Sequence, residues 1–144
     1  MFHLFLSLMR RWKARRIADK IATVIIAASG LRFFLKDDQE IPNDDFVRAY
    51  LYGTISCSMR GLGLSGRLET KGWVIWETFE RLFPGKAANL VAWCNQKVEA
   101  EDKEFKGIAA IGFEEMKRVL EALNSRAANV KTLESLHAHL ARRP

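Results

Sequence analysis

Residues 61–83 read GLGLSGRLETKGWVIWETFERLF, and two readings of this stretch lead to two different folds. Its first six residues, Gly61 to Gly66, spell G-x-G-x-x-G, the turn that cradles a pyrophosphate in dinucleotide-binding α/β proteins. Such a turn follows a buried apolar strand, opens a helix, and leads about 20 residues on to an acid at the end of a second strand. Here it is preceded by TISCSMR, residues 54–60, with Arg60 directly against the first glycine. The residues after it have the pattern of an amphipathic helix, in which Leu68, Gly72, Ile75, Phe79 and Leu82 recur at steps of 4, 3, 4 and 3. Glu77 and Glu80 stand at plausible distances but inside that helix. With no strand–helix–strand pattern around it, the motif reads as a turn between helices. Gly61 or Gly63 closes one helix in a left-handed conformation and Ser65 caps the next. Arg60 keeps a small-anion site there conceivable, but a nucleotide site is not expected.

Working outward, the helical period holds almost everywhere. Ile17, Ile21, Val24 and Ala28 step along one face, continued by Leu31 and Leu35, and Phe2, Phe5 and Met9 repeat the step upstream. This predicts a helix, straight or bent, over about 2–34, with Gly30 a weak point near its end. KDDQEIPNDD, residues 36–45, is polar and acidic and reads as a linker, with Asn43 the expected cap of the next helix and Asp44 and Asp45 in its first turn. Phe46, Tyr50, Ile55, Met59 and Leu62 carry that helix to the glycines. ISCSM, residues 55–59, alternates like a strand, but over only five residues. Pro84-Gly85 stops the aromatic helix. Ala87, Leu90, Val91, Cys94 and Val98 mark another, Phe113 to Leu123 a further one, and Leu133, Leu136 and Leu140 the last. The expectation is an all-α fold: one compact bundle of about six helices, 1–144, with a basic amphipathic N-terminal helix (1–36), an acidic linker (37–45) and a helical body (46–144).

The totals fit a single globular domain: 144 residues, 49% hydrophobic and 28% charged. The formal charge of +6 is unevenly placed. Residues 1–36 hold eight basic side chains and one acid, Asp19, for a net +7; residues 37–144 hold fifteen basic and sixteen acidic, for a net −1. A basic arm on a near-neutral body points to an anionic partner. The arm is apolar first (MFHLFLSLM) and basic second (RRWKARR), the reverse of a secretory signal, so export is not expected. Its longest charge-free run is eleven residues, Ile21 to Leu31, where a membrane span needs about 20. Two cysteines, Cys57 and Cys94, match no C-x-x-C or zinc spacing and read as thiols in a reducing cytoplasm.

Chemistry is thin. Glu134 to His137 (ESLH) matches the Glu-x-x-His step of di-metal bundles, but it occurs once where such a site needs two, and His137 and His139 point to different helix faces. Ser65, Cys57 and Cys94 are possible nucleophiles with no histidine near in sequence. Glu99, Glu101, Asp102 and Glu104 are interleaved with Lys97, Lys103 and Lys106 and read as a solvated helix end. Residues 124–140, NSRAANVKTLESLHAHL, have only a faint helix-turn-helix look. No enzyme, cofactor, metal or small-molecule substrate is expected.

The candidate partner-binding residues are therefore Phe5, Met9, Arg10, Arg11, Trp12, Lys13, Arg15 and Arg16 in the arm, with Trp73 and Trp76 on the aromatic helix. Four readings of the arm stand side by side: an interfacial helix on an anionic membrane, a nucleic-acid arm, a helix laid into a protein groove or a second copy, and a helix packed on its own bundle. Trp73 and Trp76 divide likewise between core packing and a partner groove. The functional expectation is a small cytoplasmic, non-enzymatic interaction protein (adaptor, inhibitor or regulator) that binds a protein, with peripheral attachment to an anionic membrane or nucleic acid as the alternative.

Overall fold

The computed structural model describes residues 2–30, 42–61, 68–125 and 132–142. They form six helices: α1 (Phe2–Ser29), α2 (Asp45–Gly61), α3 (Leu68–Leu82), α4 (Ala87–Glu99), α5 (Lys103–Asn124) and α6 (Glu134–Ala141). No strand occurs among the described residues. The fold is the expected all-α bundle.

The ends of the helices follow local chemistry. α1 ends at Ser29, where Gly30 takes φ +68, a left-handed value that terminates a helix; the expected continuation to Phe34 lies outside the described residues. Leu31, Leu35 and most of the acidic linker lie outside the described residues. The cap of α2 is Asp44 and not Asn43: the Asp44 carboxylate accepts the Val47 amide at 3.0 Å, which leaves Asp45 as the first helical residue. Gly61 is the last residue of α2, while Gly63 and Ser65 of the glycine motif fall outside the described residues. α3 ends before Pro84-Gly85, where Gly85 has φ +80 and its amide donates to Glu80. Asp102 caps α5 by accepting from the Phe105 amide at 2.8 Å, and that bond is the main cause holding its carboxyl below the usual range.

The stretch that alternated like a strand is helical, and its hydroxyls show how. Thr54 and Ser58 are buried in α2, where they donate back to the carbonyls of Leu51 and Thr54 at 2.7 and 2.8 Å. Small hydroxyl residues satisfied within their own helix can face a core without an outside partner.

Two helix pairs make up the body. α2 and α5 run antiparallel, as the reversed order of their closest points shows: Gly53 lies against Ala109, and Gly112 against Tyr50. A Cβ built on Gly53 would stand 1.9 Å from the Ala109 carbonyl oxygen, and one on Gly112 would stand 2.2 Å from that of Tyr50. Two glycines thus let the backbones meet where any side chain would hold them apart. α1 and α3 run parallel, with Arg11, Arg15 and Asp19 of α1 beside Trp73, Glu77 and Arg81 of α3. The buried face of α1 is built mainly of small residues (Ala14, Ala18, Ile21, Ala22, Ile25, Ala28), and Ile17 and Val24 flank it half-buried.

α4 and α6 close the bundle around Tyr50, Leu51, Ile55, Phe79, Leu90, Met116 and Leu136. The Leu133 amide donates to Ala28 at the end of α1, so the last helix is tied to the first. Glu115 on α5 ties it to the middle: its carboxylate accepts from Tyr50 Oη at 2.7 Å, from the Ser135 amide at 2.8 Å, and from the Ser135 hydroxyl. Burial first, and the bond to Glu115 second, push the Tyr50 phenol well above its ordinary range.

Candidate functional site

The residues that make α1 a core helix begin at Ala14. Upstream of it α1 runs on for twelve residues, about 18 Å at 1.5 Å per residue, in which none of the described side chains is buried. Leu4, Phe5, Leu8, Met9 and Trp12 are all exposed there, by 51% to 67%. Their spacing of i, i+1, i+4, i+5 and i+8 gathers them on one side of the helix, over an arc of about 140° at 100° per residue. Together they present roughly 600 Å² of surface, at the upper end of what a monomer ordinarily leaves exposed as one apolar patch.

Below this patch the same side of the helix turns mainly cationic, with the exposed Asp19, paired to Arg81, set among the cations. Lys13, Arg16 and Lys20 are exposed and follow Met9 and Trp12 at helical steps. The Arg16 guanidinium lies 4.9 Å from the centre of the Trp12 ring, so the two stretches meet at a cation–π contact.

Arg11 and Arg15 continue the line of Leu4 and Leu8 along one edge of the patch, and there α1 is held to the bundle by Glu77. This α3 carboxylate is 5% exposed. Arg15 Nε donates to its Oε1 at 3.2 Å, Arg11 Nε lies 3.7 Å from the same oxygen, and Arg81 donates to Oε2 at 2.9 Å. Arg81 also pairs with Asp19 on α1. Burial alone would favour the neutral acid, but the bonds from Arg81 and Arg15 outweigh it and hold the Glu77 carboxyl below its ordinary range. The Arg11 guanidinium lies over Trp73, 4.7 Å from the ring centre.

The ten candidate residues therefore separate by position. Phe5, Met9, Trp12, Lys13, Arg15 and Arg16 are exposed, and Arg10 and Arg11 half-buried. Arg11 and Arg15 already face Glu77 within the chain. Trp73 and Trp76 are half-buried and pack against the core, so their bulk serves the bundle. Sequence reasoning missed Glu77 as the anchor: Arg81 four residues on was visible, but Arg15 is 62 residues away. It also left out Leu4 and Leu8, although the uninterrupted apolar opening of the chain carried the signal.

The other chemical candidates are occupied or outside the described residues. His139 Nε2 lies 2.9 Å from Asp44 Oδ2 with its ring stacked on Phe46, and His137 Nδ1 lies 3.4 Å from the Ser29 carbonyl. Cys57 and Cys94 are buried, and burial pushes both thiols up, Cys94 to about 12. No group of three His, Cys, Asp or Glu able to hold a metal occurs among the described residues, and no described helix is long and apolar enough to cross a membrane. A groove of about 390 Å³ between α2 and α5 sets Arg60, Lys117 and Glu121 over Cys57, Phe113 and Leu120.

Comparison with known protein families, with curated proteins and with solved structures finds no match.

Proposed function

We propose that this chain is a non-enzymatic docking protein of the cytoplasm, acting as an adaptor, inhibitor or regulator, with the first half of α1 as its contact. The single observation that supports this reading most is the solvent-facing patch of Leu4, Phe5, Leu8, Met9 and Trp12 on a helix anchored at the edge of that patch through Glu77. An apolar patch of this size loses its hydration cost only when something covers it. The anchor also keeps the helix from having to order as it docks, which removes part of the entropic cost of association. Trp73 contributes by lying under the Arg11 guanidinium, and Trp76 by packing in the bundle.

The test replaces Phe5 and Met9 together by glutamate in the full chain, immobilises both proteins, and compares what each retains from a cell lysate, soluble and membrane fractions included. Retention lost by the variant, with an unchanged thermal melt, is the expected result. Equal retention by both proteins overturns the docking role of the arm.

A further inference from the structure

We propose that the surface α1 docks onto is an anionic phospholipid membrane, entered obliquely by the N-terminal turns of the helix. The proposal rests on the docking reading above and adds the identity of the surface. The exposed side of α1 changes character along its axis. Phe5, Met9, Trp12, Arg16 and Lys20 succeed one another at steps of 4, 3, 4 and 4, and all five are exposed. That line is apolar to Trp12 and cationic beyond it, with Lys13 beside the change. A helix lying in a protein groove needs its apolar and polar residues separated around the helix, along its whole contact length. Separation along the axis matches instead a medium that is itself layered: acyl chains, then phosphates, then water.

The dimensions agree. From Leu4 to Trp12 the helix rises about 12 Å, close to the roughly 5–10 Å that interfacial helices sink below the headgroups once the axis is inclined. Trp12 then falls at the boundary, where indole rings accumulate, and Lys13, Arg16 and Lys20 fall at the phosphates. A second copy of the chain fits less well. The patch offers roughly 600 Å² against the roughly 800 Å² per partner of a stable interface, and a parallel pairing of two arms would bring like charges together.

The experiment is co-sedimentation of the full-length protein with phosphatidylcholine vesicles made with and without phosphatidylglycerol, at low and at physiological salt, alongside duplex DNA in the same buffers. The expected result is binding to the anionic vesicles at least tenfold tighter than to the neutral ones, weakened by salt. Leu8→Glu and Trp12→Glu should abolish it. Replacing Lys13, Arg16 and Lys20 together by glutamine should weaken it about 100-fold, roughly fivefold for each charge at the surface. All these side chains are exposed, so an unchanged melt and helix content certify each variant. Three results overturn the proposal: no binding to anionic vesicles at low salt, equal binding to both vesicle types, or binding that Leu8→Glu leaves intact. Arm-dependent dimerisation in gel filtration without vesicle binding, or DNA binding without vesicle binding, overturns it equally. If vesicles fail while the Phe5/Met9 variant still loses retention from the soluble lysate, the lipid assignment falls and the docking reading stands. If neither assay depends on the arm, both fall.

Discussion

Replacing Gly53 by alanine tests how the body of the bundle is held together. On helix propensity alone, alanine at a mid-helix glycine stabilises by up to about 1 kcal/mol. Here the new Cβ would stand 1.9 Å from the Ala109 carbonyl oxygen and 2.7 Å from the Ala109 carbonyl carbon. These are backbone atoms and cannot rotate aside. Reaching the 3.4 Å of ordinary contact requires α2 and α5 to separate by about 1.5 Å, which also loosens the reciprocal contact of Gly112 with Tyr50. Such overpacking costs about 3 kcal/mol or more, so roughly 2 kcal/mol of destabilisation survives the propensity gain. At roughly 3–5 °C per kcal/mol for a chain of this size, the melting temperature should fall by about 6–10 °C. Gly72 is the control: it lies in α3 with nothing within 4 Å of a built Cβ. Gly72→Ala should raise stability by about 0.5–1 kcal/mol. Urea and thermal unfolding followed by circular dichroism measure both. If Gly53→Ala proves as stable as Gly72→Ala, the close approach of α2 and α5 is wrong.

Glu77→Gln removes the charge on which Arg15 and Arg81 converge and should destabilise the chain by about 1–3 kcal/mol, seen as a lower urea midpoint and as faster proteolysis near the base of α1. Because the folded carboxyl sits below its ordinary value of 4.5, its contribution is fully present above that pH and is lost as pH falls through the folded pKa; the wild-type advantage over Glu77→Gln should therefore shrink below about pH 4.5 in acid-unfolding curves. Asp44→Ala should cost about 1 kcal/mol through the lost cap of α2, and Asn43→Ala close to nothing, with thermal melts separating the two. Cys94, with its thiol raised to about 12, should resist alkylation at neutral pH in the folded protein, and Cys57 likewise; rapid labelling of Cys94 without denaturant would show that α4 is not packed as described.

The limit of what could be read is clearest in α1 and α2. The helical period and the punctuation at Gly30 and Pro84-Gly85 are written within a few residues of where they act, so they are directly legible; Asp102, read as part of a solvated helix end, is instead the cap of α5. The cap of α2 falls one residue from its expected place because Asn43 and Asp44 are both good caps, and only backbone geometry chooses between them. Periodicity puts Ile17, Ile21, Val24 and Ala28 on the inner face of α1; Ile21 and Ala28 are buried, whereas Ile17 and Val24 are only half-buried because the buried face is centred nearer Ala14, Ala18 and Ile25. Periodicity weighs size and apolarity, but a helix meeting another closely buries its small residues. Composition marks the arm as a candidate site, yet whether Phe5, Met9 and Trp12 face their own bundle is not written in it.

By itself the sequence determined that the chain is helical, where some of its helices break, and that its excess positive charge gathers in one terminal quarter, because capping, propensity and charge are local properties. The tertiary structure alone decided that Leu4, Phe5, Leu8, Met9 and Trp12 face solvent, that Arg11 and Arg15 pair with a buried Glu77 while Lys13, Arg16 and Lys20 do not, and that two glycines set the distance between α2 and α5. Burial is a relation between elements distant in the chain: the same apolar residue is core if another helix reaches it and contact surface if none does. Leu4, Phe5, Leu8, Met9 and Trp12 stay exposed, and that stretch is where function is proposed.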